Sequence, residues 1–413
     1  MNRSMREDAR IIIDRAIQAV LPDEAVRRAL QGKEFPGRVI LVAAGKAAWQ
    51  MAQAAHQCLG ERIDAGVVVT KYGHVKGPIA SFSCYEGGHP IPDENSFAGT
   101  QAALELVSGL TEQDTVLFLL SGGGSALFEK PLISGEELHD VTGQLLASGA
   151  DIVEMNTIRK RLSAVKGGRF ARLCAPAHVF SVVLSDILGD PLDMIASGPA
   201  CPDPSTCAQA WAVAEKYSLK LSEEGRRLLD QETPKELDNA ESLVVGSVRE
   251  LCSAAAKVCE ELGYEPVVLT DQLCCQAREA GSFLASIAKS HANIGKSLAF
   301  LAGGETVVRL TGHGKGGRNQ ELALAAAEGI AGLDNVLIFS VGSDGTDGPT
   351  DAAGGMTDGG TVRVLAEQGV NIHQILEDND AYHALEKSGG LIVTGPTGTN
   401  VNDIAVVLVR ATN

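Results

Sequence analysis

The chain has 413 residues, of which 45% are hydrophobic and 21% are charged, and its formal net charge is −17. This composition is typical of a globular protein with a sizeable core, and the length allows two domains. The acidic balance argues against nucleic acid and anionic lipid surfaces as partners.

The N-terminal segment and the cysteines predict a cytoplasmic protein. Residues 1–20 are charged and amphipathic, without the uninterrupted apolar stretch of a signal peptide, and no later apolar run is long enough to span a membrane. The nine cysteines include no CxxC pair, which favours reduced thiols over disulfides or a zinc site.

Short β-branched runs alternate with helix-periodic segments along the chain. Most of the runs are continuously apolar, which is typical of strands buried on both faces in a parallel sheet. The alternation predicts α/β layers with right-handed crossovers. Strands are predicted at Val39–Ala43, Gly66–Thr70, Thr115–Leu120, Val179–Leu184, Ser242–Val245, Pro266–Thr270, Ser297–Leu301, Val307–Leu310, Val336–Val341, Leu391–Thr394 and Ile404–Val409.

Helical periodicity fills many of the gaps between these runs, and one polar segment marks a domain boundary. Residues 221–241 are polar and carry no strand pattern. We therefore predict one α/β domain of residues 1–240 and a second of residues 241–413. Helices are predicted at Ala47–Leu59, Ser96–Leu106, Gly135–Leu146, Ile152–Val165, Val248–Leu262, Gln276–Ala288 and Asn319–Ile330.

Gly45 and Lys46 follow the first predicted strand and open a helix. The N-terminus of a helix offers free N–H groups and partial positive charge to an anion. A lysine is unfavourable there unless an anion binds, so we favour an anion-binding role for Lys46 over a solvated first-turn lysine.

Three consecutive glycines follow the strand that ends at Leu120, with Ser121 before them and Ser125 after them. Glycine lets the backbone turn sharply and point several N–H groups at one anion. A plain turn rarely needs three glycines, so Gly122, Gly123 and Gly124 predict a phosphate-binding loop. It is not a Walker A loop, because the chain's Gly-Lys-Ser runs into a strand, not a helix.

Two further segments carry candidate ligand groups in the first predicted domain. On the helix predicted over residues 152–165, Asn156, Arg159, Ser163 and Lys166 share a cationic face that ends at a glycine pair. Such a face is often exposed to solvent without binding a ligand, but the glycines favour ligand contact by Lys166 and Arg169.

Asp186 and Asp190 follow the end of the strand that closes at Leu184, where open α/β sheets bind ligands. They could hold Mg²⁺ through water, Asp186 could accept a substrate proton, or both could serve turn chemistry.

In the second predicted domain, Gly303 and Glu305 precede a GxGxxG pattern at Gly312, Gly314 and Gly317. The acid that a dinucleotide site needs about 20 residues later falls inside a predicted strand, so the fingerprint is weak. Arg318 follows the last glycine, and a guanidinium at a helix start can grip a phosphate or carboxylate in a bidentate fork.

Asp344, Asp347 and Asp351 alternate with glycines after another apolar strand. Carboxylates this dense need a cation or a hydroxyl-rich ligand, although the loop lacks the closing glutamate of an EF-hand. The segment Thr394–Asn400 could close over a ligand or form only a tight turn.

These motifs resemble those of the glycerate 2-kinase family, whose C-terminal module is called the MOFRL domain, and the resemblance covers nearly the whole chain. The matching segments are Ala43–Ala48, Gly87–Ser96, Ser121–Leu127, Asn156–Arg169, Leu184–Pro199, Gly303–Thr306, Gly316–Glu321, Ser343–Gly354 and Thr394–Ile404.

The resemblance implies an N-terminal Rossmann-like open sheet flanked by helices, a smaller C-terminal MOFRL domain, and an active site in the cleft between them. It implies transfer of the γ-phosphoryl of ATP to the 2-hydroxyl of D-glycerate with Mg²⁺, with Lys46 and Arg318 central. ATP and D-glycerate are the expected small-molecule partners, and a homodimer is one possible assembly.

From these patterns we expect Lys46, Arg318, Asp186 and Asp344 to be catalytic and Asp186 and Asp190 to hold the metal. Phosphoryl transfer needs positioning and charge neutralisation, which glycine-loop amides, cations and carboxylates supply. The expected binding residues are Gly45, Ser121, Gly122, Gly123, Gly124, Ser125, Lys166, Arg169, Gly303, Glu305, Asn319, Asp351 and Asn400.

Two other functions stay open at this point. Close relatives have also carried the name hydroxypyruvate reductase, and an NAD(P)H-dependent reductase would use the fingerprint around Gly312. A non-catalytic binding module for phosphorylated metabolites would bind ligand without turnover. Charged side chains in several separate glycine loops weigh against that module.

Overall fold

The computed structural model describes residues 4–412, which form two compact units. The N-terminal unit spans Pro22–Val245, and the C-terminal unit combines residues 4–21 with residues 246–412. The division lies a few residues beyond the predicted boundary at 240/241, which falls inside a strand. The first helix, predicted to belong to the N-terminal domain, groups instead with the C-terminal unit.

The N-terminal unit contains one sheet, several helices and two short 3₁₀ turns at Gly60–Arg62 and Ile195–Ser197. Its strands are β1 (Val39–Ala44), β2 (Ile63–Lys71), β3 (Phe82–Gly87), β4 (Thr115–Leu120), β5 (His178–Leu184) and β6 (Ala240–Gly246). Its helices are α2 (Pro22–Leu30), α3 (Ala48–Leu59), α4 (Glu94–Leu106), α5 (Gly124–Leu127), α6 (Gly135–Ala147), α7 (Ile152–Arg159), α8 (Arg169–Cys174), α9 (Cys207–Lys216) and α10 (Glu223–Leu229).

The strand order of this sheet is β3-β2-β1-β4-β5-β6, and the pairings from β3 through β5 are all parallel. Every residue of β1 and β4 is buried, which confirms the prediction of strands covered on both faces. Because these strands are parallel, the loops that follow β1, β2, β3, β4 and β5 emerge at the same edge of the sheet.

Each face of this sheet carries its own apolar core. Phe118 of β4 packs on one face with Phe128 and Phe170, with ring centroids 4.8–5.4 Å apart. On the other face, Leu41 of β1 packs with Met51 of α3. Helices on both sides therefore hold the central strands and fix the loops at the sheet edge.

The C-terminal unit contains α1 (Met5–Ala19) and a second sheet with helices on both faces. Its strands are β7 (Glu265–Leu273), β8 (Leu298–Gly304), β9 (Val336–Gly342), β10 (Gly354–Asp358), β11 (Leu391–Ile392) and β12 (Asp403–Val409). Its remaining helices are α11 (Val248–Glu261), α12 (Ala277–His291), α13 (Arg318–Ala326), α14 (Thr361–Glu367), α15 (Ile372–Glu377) and α16 (Ala381–Lys387).

The second sheet is mostly antiparallel, although its apolar runs predicted parallel strands. Its order is β11-β10-β9-β12-β8-β7, and among the recorded pairings β7–β8 is parallel while the others are antiparallel. Helices α1 and α11 pack on one side of these strands, and α12 and α13 pack on the other. The continuous apolar pattern therefore reports burial on both faces and not strand direction.

Helix α1 belongs to the C-terminal unit because its apolar stripe is buried there. Ile12 and Ile13 are nearly inaccessible to solvent, and the helix packs against α11 and β9. Asp8 accepts hydrogen bonds from Tyr264 Oη at 2.8 Å and from Arg410 Nη2 at 2.5 Å.

Several other local predictions differ from the structure. The strand predicted over residues 307–310 is absent, since Val307 forms only an isolated bridge with Gln276 and Leu310 is 82% exposed. The helix predicted over residues 152–165 ends at Arg159. Strand β10 was not predicted because it begins with two glycines, the first of which packs against Ser340 of β9.

Among residues 4–412, no helix combines the length and apolarity that crossing a bilayer requires. All nine cysteines lie in this range and none is in a disulfide.

Replacing Phe118 by alanine tests the core beneath the sheet edge. Phe118 is fully buried between two other rings, so Phe118→Ala should lower the free energy of unfolding by about 3–5 kcal/mol. The matched control is Leu146→Ala on α6, where the side chain is 62% exposed and the loss should stay below about 0.5 kcal/mol. Equilibrium urea denaturation measures both, and equal losses would contradict this packing.

Candidate active site

The loops after β1 and β4 are tied to each other at the edge of the parallel sheet. Lys46 N donates to Gly122 O at 2.9 Å, and Ala47 N donates to Ser121 Oγ at 3.0 Å. Gly45 has a φ of +121°, and a Cβ there would overlap Ser121. Only glycine fits this position, because it tolerates the left-handed region and leaves room for the second loop. We call these two loops, Gly45–Ala47 and Ser121–Gly124, the glycine-turn site.

The turn itself offers free backbone donors. Gly123 adopts a φ of +85°, so the chain reverses sharply between β4 and α5, as the sequence predicted. Within residues 4–412, the N–H groups of Gly122 and Gly123 donate to no acceptor. Adjacent N–H groups without partners form a concave nest that suits an anion.

Cationic and imidazole side chains surround this turn. The Cβ position of Gly123 lies 3.1 Å from Lys46 Cγ and 3.0 Å from His89 Cδ2. In the part of the chain that the structure describes, the ammonium groups of Lys46 and Lys71 make no hydrogen bond or ion pair. His74 Nδ1 donates to the carbonyl of Lys46 at 2.8 Å. An anion would offset this uncompensated positive charge.

Sequence reasoning missed both histidines as functional candidates. His89 lies in the segment Gly87–Ser96, which was noted for its resemblance to the family but received no role. Its signal was the position after the β3 strand, whose carboxyl end lies at the same sheet edge as those of β1 and β4. Burial, together with the charges of Lys46, Lys71 and His74, lowers the pKa of the His89 imidazole.

Lys166 is fully buried against the residues that follow the glycine turn. Its ammonium donates to Ser125 O at 2.8 Å and to Phe128 O at 3.1 Å, and it pairs with Glu129 at 3.3 Å. Lys166 and Glu129 are both fully buried, and burial lowers the pKa of Lys166 to about 8. Arg159 Nη2 donates to the same Ser125 carbonyl at 3.0 Å. These contacts support the loop that follows the glycine turn, and ligand contact by Lys166 stays a prediction.

Arg169 has a similar supporting position. Its Nη1 donates to Arg161 O at 3.1 Å and to Ser163 O at 2.7 Å. Because α7 ends at Arg159, these carbonyls lie past the helix end and are free to accept. The predicted cationic face on one helix therefore does not exist, and Arg169 braces the segment that follows α7.

Ser125 is held from the side by a second short network. Its Oγ lies 3.2 Å from Ser197 Oγ, and Ser197 donates to Asn156 Oδ1 at 2.8 Å. Ser197 and Asn156 are buried, and Ser197 has a positive φ of 62°. This strained position is over-determined by its hydrogen bonds, as functional loops commonly are.

Asp186 lies against the glycine turn, whereas Asp190 lies in the loop beyond it. A Cβ on Gly122 would overlap Asp186 Oδ2, so the carboxylate contacts the turn directly. Asp190 has a φ of 53°, and its buried Oδ1 has no hydrogen-bond partner among the described residues. Within the same residues, no group of three or more His, Cys, Asp or Glu is arranged to hold a metal. Two carboxylates with water and phosphate oxygens would suit Mg²⁺, which rarely uses all-protein cages.

Arg318 is the centre of a charged cluster in the C-terminal unit. Its Nε and Nη2 donate to Asp403 at 2.5 and 3.0 Å, and its Nη1 donates to Glu305 at 2.9 Å. Asp403 begins β12 opposite Gly304 and Gly342, at the edge where β8 and β9 end. Although burial opposes it, the Asp403 hydrogen bond and charge raise the pKa of Arg318 above its usual range.

The three aspartates of the 344–351 loop have three different environments. Asp344 Oδ1 accepts from Thr346 N at 2.9 Å and lies 3.4 Å from the Cβ position of Gly342, as Asp403 Oδ1 does. Asp344 thus neighbours the Arg318 cluster. Asp351 is exposed and accepts from Tyr382 Oη at 2.8 Å.

Asp347 is satisfied by the start of α13. Its Oδ1 accepts from Asn319 N at 3.1 Å and its Oδ2 accepts from Gln320 N at 2.9 Å. Burial raises the pKa of Asp347 to about 6, even though these backbone donors oppose that effect. Asp347 therefore has hydrogen-bond donors for both carboxylate oxygens without a metal ion.

The remaining predicted ligand positions of this unit have local roles. Asn319 is buried and accepts from Ser340 Oγ at 2.6 Å, and a Cβ on Gly303 would lie 2.5 Å from Cys252 Sγ. Asn400 is exposed, and its Oδ1 accepts from Asn402 N at 3.3 Å.

The GxGxxG glycines are explained by close packing. A Cβ on Gly312 would overlap Asp378, one on Gly314 would overlap Asp380, and one on Gly317 would overlap Asp347. Because no strand precedes the pattern, these glycines do not form the strand-to-helix turn of a dinucleotide site.

Asp347 should make stability depend on pH. Its folded pKa of about 6 exceeds the usual unfolded value of about 3.9, so the folded state binds this proton more tightly. The contribution of Asp347 to the free energy of unfolding should therefore fall by about 3 kcal/mol as pH rises from about 4 to about 6, and then stay constant. Urea denaturation of the wild type and of Asp347→Asn across this range isolates the effect. Parallel curves for the two proteins would contradict it.

Comparison with known proteins places this geometry in a family. Residues 8–230 match the family described as "Domain of unknown function (DUF4147)", and residues 298–403 match the MOFRL family. A D-glycerate 2-kinase of Thermotoga maritima is 53% identical over 98% of this chain and 99% of its own length. A glycerate 2-kinase of Pyrococcus horikoshii is 42% identical over 98% of each chain.

Other relatives extend the comparison. A putative hydroxypyruvate reductase of Agrobacterium vitis is 38% identical over 98% of this chain and 95% of its own length. The crystal structure of a glycerate kinase from Thermotoga maritima superposes with a TM-score of 0.94 at 52% identity, over 98% of this chain and 99% of that one. Similarity of sequence and fold over nearly the full length shows that the chain belongs to the glycerate 2-kinase family.

Proposed function

We propose that this protein is a glycerate 2-kinase, which transfers the γ-phosphoryl group of ATP to the 2-hydroxyl of D-glycerate and releases 2-phosphoglycerate and ADP. The observation that carries the proposal is the glycine-turn site. The N–H groups of Gly122 and Gly123 lie next to the Lys46 side chain at the carboxyl edge of a parallel sheet, and among residues 4–412 these donors and the Lys46 ammonium have no partner. Such a site is suited to phosphate oxygens.

In this mechanism the glycine-turn site binds the nucleotide phosphates. The two N–H groups donate to phosphate oxygens, and Lys46 neutralises charge that develops on the transferring group. Lys166 acts indirectly, because it fixes the Ser125 and Phe128 carbonyls beneath the turn. The turn is then preorganised before the ligand arrives, which lowers the reorganisation that transfer would require.

Arg318 binds either the carboxylate of D-glycerate or the phosphoryl group. Asp403 holds two of its nitrogens and Glu305 holds the third, so the guanidinium plane has a fixed direction. A fixed planar fork recognises a carboxylate or phosphate with two parallel hydrogen bonds. Asp344, next to this cluster, would orient the 2-hydroxyl or help to hold a cation.

Asp186 and Asp190 would hold Mg²⁺ together with water and phosphate oxygens. The contact of Asp186 with Gly122 and the orphaned Oδ1 of Asp190 support this assignment. A bound Mg²⁺ neutralises phosphate charge and orients the oxygens of the transferring group.

The predicted homodimer and cytoplasmic location stay predictions.

A hydroxypyruvate reductase is the second candidate, because relatives such as the Agrobacterium vitis protein carry that name. The reductase relies on the GxGxxG pattern, whose glycines pack against Asp378, Asp380 and Asp347. That packing accounts for the pattern without a nicotinamide cofactor, so the kinase is favoured. A binding module without catalysis would not explain why Lys46 and Arg318 stand at the positions that match the kinase family's motifs.

One incubation distinguishes these functions. The protein is mixed with D-glycerate, ATP and Mg²⁺, and the products are identified by ³¹P NMR. We expect 2-phosphoglycerate and ADP in equal amounts. A parallel incubation with hydroxypyruvate and NADH or NADPH should show no oxidation of the cofactor. Cofactor oxidation without phosphorylated product would reverse the assignment, and a phosphate on carbon 3 would correct the acceptor position.

Lys46→Met should slow turnover by about 10²-fold or more, because it removes a charge that stabilises the transition state. Lys76→Met is the matched control, since Lys76 is an exposed lysine of the same unit, and its kcat should not change. Steady-state kinetics with ATP and D-glycerate measure both variants. Normal turnover by Lys46→Met would rule out the role given to this lysine.

Gly122→Ala should lower kcat/KM by about 10²-fold, since the new methyl group must displace Asp186 and shift the turn. The control is Gly143→Ala in α6, where a Cβ meets nothing within 4 Å. That change should leave activity intact and stabilise the helix by about 0.5–1 kcal/mol. Equal activity in the two variants would show that the turn does not need its present geometry.

A further inference from the structure

His89 lies over the glycine turn beside Lys46. Its ring edge faces the turn, with Cδ2 3.0 Å and Nε2 3.1 Å from the Cβ position of Gly123, while Lys46 Cγ lies 3.1 Å from the same point. The residue follows β3, so its position is fixed by the same sheet edge that fixes the turn. An anion on Gly122 and Gly123 would therefore have an imidazole nitrogen close by.

Neither ring nitrogen of His89 makes a hydrogen bond within residues 4–412. His74 differs, since its Nδ1 already donates to the carbonyl of Lys46. A half-buried imidazole whose nitrogens have no partner among these residues, next to the glycine turn and the Lys46 side chain, can still form hydrogen bonds to a ligand.

The charges that act on the His89 imidazole are those of Lys46, Lys71 and His74, while the Asp186 carboxylate contacts the same turn at Gly122. Lys46 approaches from the loop after β1, and Lys71 and His74 approach from the end of β2 and the loop beyond it. The nearest acids of its own segment are used elsewhere. Asp93 accepts from Tyr72 Oη at 2.7 Å, and Glu86 accepts from Val75 N at 2.8 Å. Burial and these cations keep the pKa of His89 below its usual value until negative charge arrives.

We propose that His89 is a further ligand-binding residue of the glycine-turn site and that its imidazole takes up one proton from solvent when an oxyanion binds there. The neutral ring plus a proton becomes an imidazolium, which donates a charge-assisted hydrogen bond to the anion. The inference rests on the proposed function for the identity of the anion, which is a phosphate of the nucleotide or the carboxylate of D-glycerate.

Calorimetry in buffers of different ionisation enthalpy measures the protons taken up on binding. The ligands, in separate arms, are ADP with Mg²⁺ and D-glycerate, at about pH 6.5. We expect the wild type to take up about half a proton more than His89→Gln. Ionisation of the ligand itself cancels in this difference. Uptake with ADP identifies a phosphate as the anion, and uptake with D-glycerate identifies the carboxylate.

Affinity gives a second readout that a merely structural role would not produce. The dissociation constant of His89→Gln should exceed that of the wild type about tenfold at pH 6.5, and the gap should close at about pH 8.5, where the imidazole stays neutral. His139→Gln, an exposed histidine on α6, is the matched control and should retain the proton uptake.

An NMR titration of the wild type gives a third readout, with His89→Gln used only to assign the signal. The imidazole signal in NMR that is missing from His89→Gln should titrate at higher pH when the ligand is bound. Equal proton uptake by the wild type and His89→Gln with both ligands, or no binding of either ligand, would overturn the inference. The ³¹P assay of the wild type is independent, so a protein that makes no 2-phosphoglycerate but shows this uptake would refute the proposed function alone.

Discussion

The candidate active site depends on two backbone contacts between neighbouring strands. Lys46 N donates to Gly122 O, and Ala47 N donates to Ser121 Oγ, so the loops after β1 and β4 hold each other in place. Gly45 is needed because any side chain would displace Ser121. With these groups satisfied by each other, the N–H groups of Gly122 and Gly123 are left for a ligand. A parallel sheet makes this possible, because it brings both strand ends to one edge.

The two units compensate their buried charged side chains in different ways. Under the glycine turn, Lys166 and Glu129 are fully buried as a pair, and the lysine fills its remaining hydrogen-bonding capacity with carbonyls. Around Arg318, the guanidinium donates to Asp403 and Glu305 while remaining partly exposed. Buried pairs contribute little net stability, but this one holds the carbonyls of Ser125 and Phe128 in one arrangement.

The sequence predicts where the strands of the first sheet end and the glycine turns begin, because these features are encoded locally. The strand ends before Gly45, Ser121 and Asp186 were predictable because an apolar run followed by glycines usually forms a strand that ends in a turn. The inward direction of Lys166 was not, since it depends on Glu129 and on the carbonyl of Phe128, which are distant in the chain. The antiparallel second sheet was also missed, because burial on both faces produces the same apolar pattern in either strand direction.

Helix α1 precedes the N-terminal unit in the sequence but belongs to the C-terminal unit, which has a consequence for synthesis on the ribosome. Residues 22–245 form a compact unit of their own, whereas the apolar face around Ile12 and Ile13 packs against elements that are made only after residue 246. During that interval the helix is a nascent amphipathic segment exposed to chaperones and to other chains. A circular permutant that joined residue 412 to residue 4 and began at residue 22 would shorten this interval, because α1 would then follow the strands that it covers.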